Sequence, residues 1–426
     1  MRPERIREKV LLLLGMSNVR TEFASDLVAE AFTAEHDLSL AERVAIKDRF
    51  YWILGMRRRL EFGLGMANAH PLALYLAAEI QQGRLGAEAA AKELGNFDWQ
   101  RVQRLDEVLA QEPNAVRRFG LRHSLPDWIA HRFLKELGDK AEGFAVTQNA
   151  PPPMTVRANT LRCTREELAA RLAQEGVAST PGRWCATALR LDTPFNLFKA
   201  GPYRDGWFEQ QDEASQLVAE IVAPPPGGRV FDVCAGAGGK TLALAALMGS
   251  KGQIIATDID SEKLQDLKRR GRRAGVTNVR PIRVGKEEWP ADVQEFARAA
   301  DRILCDVPCS GLGVLRRNPD ARWRCPEEQL LVLGAIQRRI AQQAAAALQP
   351  GARLIYATCS VLRAENEDVI AELLHSDPGL EVVRLAEILG NERGLPLSDP
   401  TGTWFRPLPQ EHGMDGFFTA VVRRRR

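Results

Sequence analysis

The stretch that decides the fold is R-V-F-D-V-C-A-G-A-G-G-K-T, residues 229–241. Residues 229–233 are predicted as a strand, and a helical pattern follows the glycines through Met248. Glycines at a strand-to-helix turn let the backbone approach a ligand closely, and the N-terminus of the helix favours anionic groups. The stretch therefore predicts the first strand, loop and helix of an open α/β sheet that binds a ligand at the loop.

Two phosphate-binding fingerprints fail at this loop. Residues 239–241 resemble the end of a P-loop, but the first glycine of that motif falls at Cys234. The pattern G-x-G-x-x-G fails as well, because its last glycine falls at Thr241. Glycines that only ease a tight turn remain an alternative explanation.

The next predicted strand, Gln253–Thr257, favours a nucleoside ligand. It ends in Asp258, where an acidic side chain can accept hydrogen bonds from ribose hydroxyls. Because neither phosphate-binding motif is complete, S-adenosylmethionine fits this loop better than NAD or ATP. The residues predicted to bind this cofactor are Cys234, Ala235, Gly236, Ala237, Gly238, Gly239, Lys240, Asp258 and Asp306.

Proline triplets at 151–153 and 224–226 divide the chain, since neither fits inside a helix or a central strand. Residues 1–145 are predicted to be all-α, and the capping-box spacing of Ser39 and Glu42 opens a helix from Leu40 to Leu60. Residues 146–225 are predicted to form a small α/β linker module. Its predicted elements are strands at Met154–Arg157 and Ala188–Leu191 and a helix from Thr164 to Gly176.

Residues 226–426 are predicted to form a Rossmann-like α/β domain. Short apolar runs alternate there with helical stretches, a pattern that implies a parallel sheet with crossover helices. The runs are 229–234, 253–258, 302–306, 353–358 and 417–422, the last as a late strand of the same sheet.

Composition limits the class of protein. The 426 residues include 58 Lys and Arg against 55 Asp and Glu, a net charge of +3, and apolar and charged fractions that are ordinary for a globular chain. We expect a cytosolic protein without a membrane span, because no apolar run approaches about 20 residues. None of the seven cysteines forms a CxxC pair, so we expect reduced thiols and no metal site.

Two of these cysteines follow predicted strand ends. Cys309 comes after strand Arg302–Asp306, and Cys359 comes after strand Arg353–Ala357. The carboxyl ends of strands line the ligand crevice in open α/β sheets, so both thiols should face the cofactor. Two thiols without a metal suggest covalent catalysis.

Three motifs resemble those of the RNA cytosine-5 methyltransferases of the Fmu/Sun (RsmB) and NSUN group: D-V-C-A-G-A-G-G-K-T, D-V-P-C-S-G-L-G-V-L-R-R-N-P-D and Y-A-T-C-S-V. R-A-N-T-L at 157–161 and Q-D-E-A-S at 211–215 are similar to segments that precede the catalytic domain in this group. The N-terminal L-S-L-A-E-R-V-A-I-K-D-R-F-Y-W-I-L more loosely resembles the NusB-like domain of the Fmu/Sun branch. The resemblance implies a class I methyltransferase that uses S-adenosylmethionine on 16S rRNA.

The resemblance also implies residue roles. Cys359 would be the nucleophile that adds to cytosine C6, and Cys309 would assist proton removal or product release. Asp306 would hydrogen-bond the base near N3, and Lys240 would support base binding. DNA cytosine-5 methyltransferases place the nucleophile in the Pro-Cys motif, so the exchanged assignment, with Cys309 as nucleophile, stays open.

Two departures from the family pattern bear on the cofactor. Gly236 and Ala237 replace the usual Ala-Pro pair, which predicts a less stiff loop. Lys286 stands where relatives often carry an acid that binds adenine, so either Glu287 substitutes or adenine recognition differs.

A basic segment after the Pro-Cys motif is the predicted RNA contact: Arg316, Arg317, Arg322 and Trp323. A cytosine that a thiol can reach must be unpaired or flipped out of a helix. We expect a monomer acting on such a cytosine in 16S rRNA. The alternatives are a methyltransferase acting on DNA or a small molecule, and a non-catalytic RNA-binding assembly factor.

Overall fold

The computed structural model describes residues 2–20, 22–35, 37–193 and 195–425. The chain divides into two compact units. One contains Met1–Pro152 together with Val314–Glu327, and the other contains Pro153–Gly313 together with Glu328–Arg426. The first division falls inside the proline triplet at 151–153, whereas residues 153–225 belong to the same unit as the large sheet.

In the described residues before position 150, the helical unit contains ten α-helices. They are α1 (Pro3–Val19), α2 (Ala24–Ala34), α3 (Leu40–Leu64), α4 (Pro71–Gln81), α5 (Ala87–Glu93), α6 (Trp99–Gln103), α7 (Leu105–Ala110), α8 (Ala115–His123), α9 (Asp127–Leu137) and α10 (Ala141–Gln148).

The longest of these helices, α3, runs through the core of the unit. Ser39 and Glu42 form the capping box expected from the sequence, which satisfies backbone donors at the start of the helix. Ile46 and Phe50 on its inner face have no exposed surface. The helix continues past the predicted end at Leu60 and stops at Gly65, whose left-handed φ of 66° ends the helical hydrogen bonding.

The second unit begins with a four-stranded antiparallel sheet of order β2-β3-β1-β4. Its core includes Val156, Leu168 and Phe208, each with no exposed surface. The elements of this part are β1 (Met154–Ala158), α11 (Arg165–Gln174), β2 (Ser179–Pro181), β3 (Ala188–Leu191), α12 (Gly201–Arg204), β4 (Phe208–Gln210) and α13 (Glu213–Val222).

The rest of the unit is built on a seven-stranded sheet of order β10-β11-β9-β8-β5-β6-β7. Its elements are β5 (Arg229–Asp232), α14 (Gly239–Leu247), β6 (Gln253–Asp258), α15 (Ser261–Ala274), β7 (Val279–Arg283), α16 (Ala291–Arg298), β8 (Arg302–Asp306), α18 (Gln329–Ala347), β9 (Arg353–Thr358), α19 (Glu367–Ser376), β10 (Leu380–Val383), α20 (Ala386–Leu389), α21 (Asn391–Gly394), α22 (Pro409–His412) and β11 (Phe418–Arg424). Helix α17 (Ala321–Arg324) lies in the helical unit.

The five strands from β5 to β9 are parallel neighbours, as the alternating pattern predicts. The last strand differs, because β11 enters between β9 and β10 and runs antiparallel to both. Its first residue, Phe418, lies beside Thr358 at the end of β9. A strand that begins where its neighbour ends has to run in the opposite direction.

Parallel pairing brings the carboxyl ends of β5, β6, β8 and β9 to one edge of the sheet. Asp258, Asp306 and Thr358 are the last residues of β6, β8 and β9. Loops at this edge carry the glycines and cysteines singled out from the sequence, which makes it the natural position for a ligand crevice.

Candidate functional site

The glycine loop between β5 and α14 is a tight turn. Gly236 and Gly238 have left-handed φ values of 53° and 83°. A Cβ on Gly238 would lie 2.2 Å from the side chain of Leu267, whereas a Cβ on Gly236 would meet no atom within 4 Å. Gly238 is therefore required by both conformation and packing, and the space beside Gly236 is open to a ligand.

Asp258 closes one side of this loop. Its Oδ2 accepts a hydrogen bond from the Gly236 N–H at 2.8 Å, and its Oδ1 accepts one from the Asp260 N–H at 2.9 Å. A carboxylate offers about four lone-pair positions. Asp258 can therefore hold the loop and still accept hydrogen bonds from a diol.

Asp232, the last residue of β5, lies beneath the loop with almost no exposed surface. Its Oδ2 accepts the hydroxyl hydrogen of Thr241 at 2.7 Å, while its Oδ1 meets no donor among the described residues. Burial raises the pKa of Asp232 to about 7.

Lys240 and Asp306 form an ion pair next to the loop, with Nζ and Oδ2 2.6 Å apart. Burial lowers the pKa of Lys240, but the charge of Asp306 and the hydrogen bond to it outweigh that effect and leave the pKa raised. The ammonium also lies 5.2 Å from the ring centroid of Phe417. Lys240 is therefore a lysine held in its charged form inside the site.

The two cysteine loops meet at their sulfur atoms. Sγ of Cys309 and Sγ of Cys359 are 3.4 Å apart, and both cysteines are free thiols. The hydrogen bond with Cys359, together with burial, raises the pKa of Cys309 well above its usual value. Cys309 is accordingly held as a neutral thiol beside Cys359.

A buried carboxylate that the sequence analysis missed joins these two loops. Glu365 has no exposed surface, and it accepts hydrogen bonds from the N–H of Ser310 at 2.8 Å and from the hydroxyls of Ser310 and Ser360 at 2.5 Å each. Gln337 Nε2 donates to the same carboxylate at 3.1 Å. In the sequence Glu365 lies in a polar stretch that resembles an exposed turn, so no pattern distinguishes it.

A close backbone approach fixes the Cys359 loop further. The Gly313 N–H donates to the Cys359 carbonyl at 2.9 Å, and the Gly416 N–H donates to the Gly313 carbonyl at 3.0 Å. A Cβ on Gly313 would lie 2.1 Å from the Gly416 carbonyl oxygen. Only glycine fits at position 313.

The two motifs that precede the catalytic domain are joined to each other, and the antiparallel sheet beside them supports the glycine loop. Arg157 Nε donates to Gln211 Oε1 at 2.7 Å, which joins the motifs to each other. Arg270 on α15 pairs with Glu209 and donates to the Ala237 carbonyl at 2.6 Å. The antiparallel sheet thus helps to hold the glycine loop through one arginine.

The basic segment after the Pro-Cys motif belongs to the helical unit, and one prediction there is wrong. Arg322 has no exposed surface, and its Nη1 donates to the Gly55 carbonyl at 2.9 Å and to Asn149 Oδ1 at 2.8 Å. Burial lowers the pKa of Arg322 to about 9. Its guanidinium satisfies carbonyls in the interior of the unit and offers no surface to RNA.

The other members of this segment differ in how much of each side chain is exposed. Arg316 is 7% exposed and its backbone N–H donates to Gln148 Oε1, so its side chain too lies mostly inside the unit. Trp323 is half-buried, and its Nε1 donates to the Leu54 carbonyl at 3.1 Å. Arg317 is half-buried. An RNA contact at Arg317 and Trp323 stays a prediction.

The residues considered for adenine binding lie at the surface. Lys286 and Glu287 are both exposed on the segment between β7 and α16, and a role for Glu287 in binding adenine stays a prediction. Over the described ranges, every helix falls short of the length and apolar character that a bilayer crossing requires. In the same ranges no three His, Cys, Asp or Glu side chains converge to hold a metal ion.

The sheet order, the glycine loop and the strand-end carboxylates define a Rossmann-like methyltransferase fold. The family model described as 16S rRNA methyltransferase RsmB/F matches residues 219–423, and the model for an RsmF/B-like ferredoxin-like domain matches residues 125–197. The chain is 34% identical to the probable ribosomal RNA small subunit methyltransferase B of Synechocystis sp., over 76% of this chain and 72% of the relative. The chain therefore belongs to the RsmB/F family of methyltransferases.

Two solved structures are similar in fold. The crystal structure titled PH0851 is 25% identical with a TM-score of 0.79, and the similarity covers 100% of this chain and 99% of that one. A methyltransferase homolog protein from Pyrococcus horikoshii is 28% identical with a TM-score of 0.62, over 73% of this chain and 99% of that one.

Proposed function

We propose that this protein transfers a methyl group from S-adenosylmethionine to C5 of an unpaired or flipped cytosine in 16S rRNA, through a covalent bond between Cys359 and C6. The observation that carries the proposal is the 3.4 Å separation of the Cys309 and Cys359 sulfurs beside the Lys240–Asp306 pair. Membership of the RsmB/F family and the name of the Synechocystis relative support rRNA as the substrate.

The residues at the glycine loop fit the cofactor. Asp258 retains acceptor capacity for ribose hydroxyls, and the space beside Gly236 is open to a ligand. Bound there, S-adenosylmethionine supplies the electrophilic methyl group that C5 of an activated cytosine takes up.

Cys359 activates the ring. Cytosine C5 is a poor nucleophile until a sulfur adds to C6, which converts the ring into an enamine. The new S–C6 bond places negative charge toward N3, and the proton that leaves the thiol is balanced by one that N3 takes up. The ion pair is neutral overall, but its ammonium group carries exchangeable protons, so Lys240 and Asp306 can relay a proton to N3 as that charge develops.

The second half of the reaction removes the C5 proton and releases Cys359. As the C6–S bond breaks, its electron pair returns to sulfur. Of the protons that leave C5 and N3, one restores the Cys359 thiol and the other passes to water, so one proton is released overall for each methyl group transferred. Cys309 is held as a neutral thiol 3.4 Å from the departing sulfur. It can donate a hydrogen bond or a proton to that sulfur, which favours product release as its role.

Bisulfite sequencing of 16S rRNA from cells with and without the gene tests the function. We expect at least one cytosine to resist conversion only when the gene is present. Identical conversion patterns in all RNAs of the two strains would exclude the proposed activity.

Trapping of the covalent adduct tests the cysteine roles. We expect Cys359→Ala to form no adduct and Cys309→Ala to accumulate an RNA–protein complex that survives denaturing electrophoresis. Cys325→Ala, which changes a cysteine of the helical unit, is the control and should turn over normally. If Cys359→Ala accumulated the adduct and Cys309→Ala formed none, the roles would be exchanged.

A further inference from the structure

Three arginines lie side by side at the edge of the large sheet opposite the catalytic loops. Arg302 on β8 is the register partner of Arg353 on β9, and Arg353 is the register partner of Arg423 on β11. Register partners project from the same face of a sheet, and adjacent strands are about 4.8 Å apart. The three guanidinium groups therefore form a row across three neighbouring strands, which we call the arginine row.

Such a row opposes folding. Like charges directly opposite each other on neighbouring strands are destabilising. Burial and then the charge of Arg353 lower the pKa of Arg302, and burial and then the charge of Arg423 lower the pKa of Arg353. Arg302 offsets part of this cost by donating to backbone carbonyls and Arg423 by its ion pair with Glu381, whereas Arg353 has neither kind of contact among the described residues.

Two members of the row lack a carboxylate partner. Arg423 pairs with Glu381 at 2.5 Å, but neither Arg302 nor Arg353 forms an ion pair with any residue in the described part of the chain. Arg302 donates only to backbone carbonyls, those of Val222 at 3.0 Å and Ala223 at 3.1 Å among them. The charges of Asp301 and Glu387 act on Arg302 and Arg353 without forming ion pairs, and the pKa values of both arginines stay lowered.

Two members of the row, Arg353 and Arg423, line a cavity of ≈ 540 Å³ whose lining is almost entirely charged: Gly351, Arg353, Glu381, Arg423, Arg424 and Arg425. A protein interface has an apolar or aromatic core, and this lining contains no such side chain. Guanidinium forks suit the oxygens of phosphate groups, which they can bind with two parallel hydrogen bonds. The chemistry favours a chain of phosphates as the ligand.

We propose that the arginine row is a second RNA-binding surface that contacts the phosphate backbone of the rRNA far from the reacting cytosine. The proposal rests on the proposed function for the identity of the RNA. Strand β9 runs from Arg353 to Thr358, so Cys359 lies about 20 Å away at about 3.3 Å per residue. An RNA that contacts both places has to span this distance, which a dinucleotide or trinucleotide bound at the cysteines is too short to do.

The test uses the double variant Arg353→Gln/Arg423→Gln, called the row variant. Its control is Arg190→Gln/Arg280→Gln, which removes the same number of positive charges from two exposed positions of the same unit. Binding to full-length 16S rRNA and to a short single-stranded RNA is measured over a range of salt concentrations. For the row variant we expect about tenfold weaker binding to 16S rRNA and a salt slope smaller by about 1.5, with unchanged binding to the short RNA. The control should match wild type in both assays.

Thermal unfolding shows that the row variant is folded, and its midpoint should equal or exceed that of wild type because repulsion is removed. Equal affinities and slopes for wild type and the row variant would overturn the inference, as would an equal loss in the control. Selective loss of binding to anionic lipid vesicles, with 16S rRNA binding intact, would overturn it in favour of a membrane. The binding assay involves no methyl transfer. A negative bisulfite result therefore rejects the proposed methyltransferase function and leaves the RNA-binding role of the arginine row to be decided by the binding assay.

Discussion

Buried carboxylates organise both halves of the candidate site at the scale of single residues. Asp232 accepts the Thr241 hydroxyl beneath the glycine loop, and Glu365 accepts the donors that follow the two cysteines. Neither touches the place where the base would react. Each fixes a loop whose own residues are small and would otherwise be mobile, because buried donors have to find acceptors.

Glu365→Ala should lower the free energy of unfolding by about 3 kcal/mol, since it leaves the Ser310 N–H and two hydroxyls without an acceptor inside the protein. The rate of methyl transfer should fall by a larger factor than the loss of stability alone explains, because the loops that carry the two cysteines lose the carboxylate that holds them in position. Urea unfolding and transfer rates measure both effects. Glu372→Ala on α19, which is half-exposed in its ion pair with Arg338, is the matched control and should cost about 0.5 kcal/mol or less. An active Glu365→Ala enzyme would contradict the positioning role.

Asp232 gives a pH dependence with a defined sign. Its pKa is about 7 when folded and about 3.9 in an unfolded chain, so between these values the folded state binds more protons. Stability contributed by the protonated form is therefore lost as pH rises through 7. Relative to Asp232→Asn, which cannot ionise, wild type should lose stability between pH 5 and pH 8, as urea unfolding at about those two values measures. A constant difference between the two proteins would show that Asp232 does not titrate in this range.

At the scale of elements, loop packing decides where the reactive groups sit. The Cys359 loop is held against Gly313, whose missing Cβ lets the Gly416 carbonyl approach. Strands β8 and β9 are apolar runs whose bounds follow directly from the sequence. Strand β7, with the sequence V-R-P-I-R, has no such run and was not predicted, because pairing with β6 rather than its own pattern holds it in the sheet.

Gly313→Ala should displace the Cys359 loop and reduce methyl transfer by about 100-fold or more, because misplacing a reacting group by about 1 Å has an effect of this size. Gly334→Ala in the middle of α18 is the control, since its Cβ would meet only the flexible guanidinium of Arg338 at 3.4 Å. The control should keep full activity and gain about 0.5–1 kcal/mol of stability. Equal activities of the two variants in a transfer assay would show that the close approach at Gly313 is dispensable.

At the scale of the whole molecule, chain order and spatial order differ. Residues 314–327 follow the Pro-Cys motif directly, yet they belong to the helical unit that the first 152 residues build. Arg322 at the centre of this segment binds the Gly55 carbonyl and Asn149 in the interior. The sequence predicts an RNA contact for a basic segment beside a catalytic motif. It cannot predict that Arg322 is buried, because that burial depends on helices that lie far away along the chain.

Arg322→Ala should destabilise the helical unit by about 3 kcal/mol or more, because it empties a buried volume and leaves carbonyls without donors. Arg104→Ala, an exposed arginine of the same unit, should change stability by about 0.5 kcal/mol or less. Denaturant unfolding followed by helical circular dichroism measures both variants. An unchanged stability together with a smaller salt slope for RNA binding would restore Arg322 as an RNA contact.

The sequence by itself determined the parallel sheet, the glycine loop, the strand-end acids Asp258 and Asp306, and the two cysteines. All of these follow from local periodicity or from short motifs in which neighbouring residues carry the information. Only the tertiary structure decided the reversed direction of β11, the buried roles of Glu365 and Arg322, and the arginine row. Each of these depends on which distant segments lie against each other, and burial and strand register are properties of that contact rather than of any local pattern.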